Sequence, residues 1–160
     1  MQISDYISGA ALIISLGAIY FSWIAYKQKQ KLASAQKKTE LLQKYDERIY
    51  KFKRCEELYR DIFILYESNK KFQDYLIKDG EGELINDIKT PLESIERCLK
   101  KVSETRKEIE KIDIVANPLV FEAKLPHANR MLLDSQYLLS NTEELTEKIK
   151  GELNKYFKIQ

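Results

Sequence analysis

From Ala18 to Asp79 the chain runs for 62 residues without a glycine or a proline. Nothing in that stretch supplies the positive φ of a tight turn or the missing N–H that breaks regular structure. Acid-first pairs at i,i+4 recur along it, at Glu47–Lys51, Glu56–Arg60, Glu67–Lys71 and Asp74–Lys78, the orientation that supports a helix better. The spacing predicts one long helix, ending where Asp79-Gly80-Glu81-Gly82 offers glycines for a left-handed cap. Straight, residues 27–78 alone span ~78 Å, so such a helix needs lateral partners.

The apolar pattern changes along this helix. Tyr6 to Tyr26 is 21 residues with no ionisable side chain except tyrosine. That run is predicted to be a transmembrane helix, roughly 31 Å long against a hydrocarbon core of about 30 Å. Tyr6 at one end and Tyr20, Phe21, Trp23 and Tyr26 at the other suit the headgroup level. Before it stands only Asp5; after it come Lys27, Lys29, Lys31, Lys37, Lys38 and Lys44 against the single acid Glu40. The positive-inside rule then sets a short N-terminus (1–5) outside an inner or plasma membrane and the remainder in the cytoplasm, as a single-pass protein. Lys27, Lys29 and Lys31 lie closest to an anionic leaflet and are expected to touch lipid headgroups.

One face of residues 6–26 carries only small side chains. Ser8, Ala11, Ser15, Ala18, Ser22 and Ala25 recur at steps of three and four, serine at every a position and alanine at every d. Small residues let helix backbones approach, so this stripe is expected to be a homo-oligomer seam. The alternative is a ring of copies whose stacked serine hydroxyls line a hydrated pore.

Residues 27–44 read as a basic, mostly solvated helical stalk, and 45–160 as a helical bundle. Leu42, Tyr45, Ile49, Phe52, Cys55, Tyr59, Ile62 and Leu65 keep steps of three and four. Tyr45, Phe52, Tyr59 and Tyr66 share one heptad position, expected to be a bundle face. Ile62-Phe63-Ile64-Leu65-Tyr66 is apolar all round and is expected near the bundle centre. A second helix starts at Thr90-Pro91-Leu92-Glu93, with Thr90 as N-cap and Pro91 in the first turn, after a short turn at 83–89. Its heptad sets Ile85, Leu92, Leu99 and Arg106 at a, and Ile88, Ile95, Val102 and Ile109 at d. Leucine at a with isoleucine at d tends toward three or four helices. Arg106 interrupts that seam and is expected to fix its register or to pair with an acid. The helix should end by Asn117-Pro118. Residues 118–126 (PLVFEAKLP) read as an apolar connector between prolines. A last helix follows from about His127 to Phe157, with Met131, Leu132, Leu138, Leu139, Leu145, Ile149, Leu153 and Tyr156 inward. The fold class is therefore all-α: one transmembrane helix continuing into a long helix that packs with two others as an antiparallel bundle.

Chemistry is sparse. One histidine and two cysteines exclude a multi-histidine metal site and a Cys₄ zinc site. The Walker, dinucleotide, zincin, nucleophile-elbow and C-x-x-C motifs are all missing. His127 follows Pro126 at a helix start and reads as a capping or surface residue. No arginine stands four to six residues before it, so an R-x₄₋₆-H ribonuclease pattern is not formed. Cys55 and Cys98 read as small buried hydrophobes. No cofactor, no metal and no enzyme activity is expected. Twenty-seven basic against 25 acidic residues give a net charge of +2, too little surplus for a dedicated nucleic-acid binder. The expected partners are membrane lipids, further copies of the chain and a cytosolic protein. The function expected is an oligomeric membrane accessory or scaffold displaying its bundle, with a membrane pore or membrane-disrupting effector as the alternative. In layout alone, one span followed by a helical bundle, the chain resembles the small one-span accessory proteins of bacterial antiviral systems. That resemblance implies a role in antiviral defence.

Overall fold

A computed structural model of the chain describes residues 3–78, 80, 91–117 and 119–159, with side chains from residue 11 to 158. The described residues form four helices and no strands: α1 (Ile3–Ser68), α2 (Lys70–Lys78), α3 (Pro91–Lys111) and α4 (Val120–Ile159). The all-α expectation therefore stands. The cross-links between helices give the topology. Arg60 reaches Glu96 (3.5 Å) and Lys38 Nζ reaches the Glu110 carbonyl (2.7 Å), so α3 runs back along α1. Lys37 pairs with Glu122 (2.6 Å) and Arg48 meets Met131 (3.2 Å), so α4 runs up along α1 again. Successive long helices are antiparallel, and α1 is the element on which both of the others pack.

The transmembrane expectation for residues 6–26 needs correction, and the single-pass location falls with it. Among the described residues no helix is long and apolar enough to cross a membrane. Lys27 and Gln28 close the run at one end. Ser15, Gly17, Ser22 and the polar tips of Tyr20, Trp23 and Tyr26 dilute the interior. The pore alternative needs a span and is withdrawn as well.

The long helix stops at Ser68 rather than at Asp79. Asn69 Oδ1 accepts the Phe72 amide (3.0 Å), an N-cap that starts α2 anew. Gly80 then takes the left-handed conformation (φ 82°) after α2, where the sequence requires a glycine. Pro91 opens α3 as expected, while Thr90, Ile85, Ile88 and the turn at 83–89 lie outside the described residues. α3 ends at Lys111, six residues before Asn117. Asp113 Oδ1 takes the Val115 amide (2.8 Å) in a local turn, and Lys38 caps the last carbonyls from another helix.

The connector at 118–126 is corrected too: from Val120 onward it belongs to α4, with Pro126 inside the helix. Proline gives up the bond to the Glu122 carbonyl. Phe121, fully buried, and Ala128 hold the first turns of α4 against α1 across that defect. The inner line of α4 also differs from the expected leucines. Its buried residues include Phe121, Ala128, Ser135, Thr142, Ile149 and Tyr156, one every seventh position, flanked by half-buried Leu138, Leu139 and Leu145. Small side chains at 128, 135 and 142 allow close approach to α1, and the Cys55 thiol meets Thr142 there. The hydroxyls of Ser135 and Thr142 donate to the Leu132 and Leu138 carbonyls (both 2.7 Å), so burial leaves neither unpaired. The expectation of two buried cysteines is met at Cys55 and not at Cys98, which is exposed.

On α1 the heptad reading of Tyr45, Phe52, Tyr59 and Tyr66 matches four buried residues. The segment Ile62–Tyr66 is not central all round: Ile62 and Tyr66 are buried, whereas Phe63 and Ile64 are exposed. A second apolar cluster of Ile62, Tyr66, Phe72, Leu76, Ile149 and Tyr156 closes that end of the bundle.

Candidate functional site

The most unusual surface of the protein is the N-terminal part of α1. A helix that is apolar all round belongs in an apolar enclosure. Yet Leu12, Ile13, Ile14, Leu16, Ile19, Tyr20, Phe21, Trp23 and Tyr26 are all exposed, Ile14 and Phe21 at 72%. Exposed apolar residues scattered singly need no explanation, but a continuous sleeve of them marks an interaction surface.

The small-residue stripe runs down this sleeve. Ala11, Ser15, Ala18, Ser22 and Ala25 are all exposed; Ser8 lies outside the described side chains. Ser15 Oγ donates to the Ala11 carbonyl at 2.8 Å, so its hydroxyl is already satisfied by its own helix. A Cβ built on Gly17 would meet nothing within 4 Å, so the backbone is open on that side too.

The aromatic end is ordered by its own contacts. Tyr20 packs edge-on against Phe21 (6.1 Å) and stacks on Trp23 (6.4 Å). Lys27 Nζ sits 4.1 Å from the Trp23 ring centre, and Gln30 Nε2 donates to Tyr26 Oη (2.7 Å). Lys27, Lys29 and Lys31 are exposed. Their assignment to lipid headgroups rested on the span. In the structure Lys27 and Lys31 flank a cavity of about 250 Å³, with Ile114 and Val115 of the α3–α4 turn on its far side.

Below it the helix does not stay solvated. Ser34 and Leu41 are buried, and Lys38 donates to the Glu110 and Ile112 carbonyls (2.7 and 2.9 Å). A cation at these last carbonyls complements the negative end of α3. The α3–α4 turn is thereby fixed against α1, and packing begins at Ser34, about two turns after the apolar sleeve.

Arg106 is half-buried and does find an acid. Its guanidinium forms a two-pronged pair with Asp46 of α1, and its Nη1 reaches Glu110 (2.9 Å). Hydrogen bonding to Asp46 raises the Arg106 pKa further above its ordinary value. The residue thus links α3 to α1 through Asp46.

The structure also gathers residues that no sequence pattern connected. Arg48 of α1, Lys101 of α3, and Lys124 and His127 of α4 share one cavity. Among the described residues no group of three histidine, cysteine or acidic side chains is placed to hold a metal ion. No protein-family model, curated protein or solved structure matches this chain.

Proposed function

We propose that the chain is a non-catalytic, oligomeric interaction protein whose N-terminal helix joins copies and whose bundle is displayed to a partner protein. The observation that carries this reading is the exposed apolar sleeve at residues 11–26. Nine large side chains there would each gain about 1.5–3 kcal/mol on full burial, before the costs of association. Further copies of the same helix are the occupant that the small-residue stripe suits. Ala11, Ser15, Ala18, Ser22 and Ala25 admit a backbone at close range, and Ser15 enters such a seam with its hydroxyl already bonded. Copies joined side by side carry their bundles at the same end. Phe63, Ile64, Ile77 and Phe157 are exposed on the bundle and would face a partner.

The test is mass in solution. The full chain, sized by light scattering or sedimentation, should be an oligomer, and a fragment starting at Lys27 a monomer. Replacing Ala11 and Ala18 by Ile widens the seam without adding charge and should lower the mass. A monomeric full chain, or an oligomer indifferent to both isoleucines, would refute the reading. So would flotation of the chain with lipid vesicles as separate single copies, because the sleeve would then serve lipid instead of its own kind.

A further inference from the structure

Arg48 occupies a position at which α1 otherwise faces its neighbours with Ser34, Leu41, Cys55 and Ile62, each buried and spaced by seven residues. A cation in such a line ordinarily meets an acid, because an uncompensated buried charge is costly. Arg48 does not. Its Nε is buried without any acceptor, its Nη1 donates only to the Met131 sulfur (3.2 Å), and its guanidinium lies 5.1 Å from the Phe52 ring. A thioether is a weak acceptor for a group with five donors. Burial pulls the guanidinium pKa below its ordinary value, against weaker opposing influences from Tyr45, Cys98 and Asp134.

The same guanidinium lines a cavity of about 500 Å³ where α1, α3 and α4 meet. Lys101 enters it from α3, and Lys124 and His127 from α4. No carboxylate lines it. Val102 and Met131 give it an apolar wall. The volume lies within the range of small-molecule sites, which combine an apolar lining with a few convergent polar groups. Three cations around one cavity, Arg48, Lys101 and Lys124, match a dianion better than a single carboxylate, and a guanidinium presents the planar fork that phosphate oxygens accept.

We propose that this cavity binds a small organic phosphate. Its phosphate is held by Arg48 with Lys101 and Lys124, and its apolar body rests on Val102 and Met131. The site is independent of the association surface, because none of its residues belongs to the sleeve.

Cys98 provides the measurement. It is exposed and lines this cavity, whereas Cys55 is buried, so alkylation of the full chain in non-ionic detergent reports on Cys98. The probes are adenosine monophosphate, adenosine and inorganic phosphate at matched ionic strength. Adenosine monophosphate at about ten times its dissociation constant should slow alkylation about tenfold, since only the free protein reacts. Adenosine should leave the rate unchanged, and inorganic phosphate should protect less than the nucleotide. Arg48→Met replaces a half-buried charge by an apolar chain, a change that folded proteins tolerate, and should abolish the protection. Lys101→Ala with Lys124→Ala, both exposed, should weaken it with Arg48 still in place. The proposal is overturned if the nucleotide leaves the wild-type rate unchanged. It is also overturned if Arg48→Met is protected as well as wild type, or if adenosine or inorganic phosphate protects as well as the nucleotide.

Discussion

Pro126 offers the sharpest test of the fold, because two incompatible structures predict opposite effects of replacing it. In the structure it lies at the seventh residue of α4, with its ring exposed. There it withholds one N–H from the Glu122 carbonyl and crowds that carbonyl. Pro126→Ala restores the bond and removes the crowding without taking any buried contact away. In a helix interior proline stands about 3 kcal/mol behind alanine, a figure already net of the coil's entropy. Near a helix start the penalty is smaller, so a gain of about 1–3 kcal/mol is expected. With a urea dependence of about 1–3 kcal/mol per molar for a domain of this size, the unfolding midpoint should rise by about 1 M. The assay is urea unfolding followed by circular dichroism, in a fragment starting at Lys27 that keeps every contact from Ser34 onward. An unchanged or lowered midpoint would refute a helix running through Pro126. It would restore the reading of 118–126 as a connector, in which proline stiffens the loop and its loss costs stability.

Three further outcomes follow from the contacts. Arg106→Leu should change stability by less than about 1 kcal/mol by thermal unfolding, because a partly exposed pair with Asp46 and Glu110 is worth little and a leucine at that position regains apolar burial. Lys38→Met should cost about 1–2 kcal/mol in urea unfolding, since two charge-assisted hydrogen bonds to the end of α3 are lost together with the favourable charge at that terminus. Burial raises the Cys55 thiol pKa above its ordinary value, with weaker opposing and reinforcing influences from Thr142 and Glu143. The folded state therefore holds that proton more tightly than the unfolded one. The stability this contributes is complete below the ordinary thiol pKa and is lost as pH rises through the folded value. Unfolding free energy measured across the alkaline range should fall, and Cys55→Val should flatten that fall, leaving the part due to buried Tyr45, whose pKa burial also raises.

What the sequence disclosed was local, and what it hid was mostly carried by neighbours. Pro91 and Gly80 act through their own backbone, and both were legible: one opens α3, the other takes φ 82° after α2. The break at Asn69 is local too, but its signal is a single N-capping side chain in a stretch without glycine or proline, too weak to stand out against 62 helix-compatible residues. The end of α3 at Lys111 was not legible, because the cation that caps it comes from Lys38, 72 residues earlier in the chain. The core line of α4 was legible at Ile149 and Tyr156 and missed before them for a packing reason. Leucines mark the flanks of its inner face, while the line closest to α1 passes through Ala128, Ser135 and Thr142, whose small side chains are the condition for close approach. The apolar sleeve was visible at once as composition. Its reading as a span is not met, because among the described residues no helix is long and apolar enough to cross a membrane.

The Arg48 cavity is the extreme case of the same rule. On sequence alone Arg48 is one basic residue in a charged helix. Lys101, Lys124 and His127 are equally ordinary on their own helices. They become a site only because α3 and α4 each pack on α1 and leave a gap between themselves at the height of Arg48. In α1 the neighbours at that seven-residue spacing, Leu41 and Cys55, are fully buried, so the helix could have carried a leucine at 48 at no cost to its pattern. A core leucine there would add apolar burial worth about 1.5–3 kcal/mol and remove a desolvated charge. An arginine at such a position, with a thioether for a partner and two lysines across the gap, is better accounted for by what enters the cavity than by what holds the bundle together.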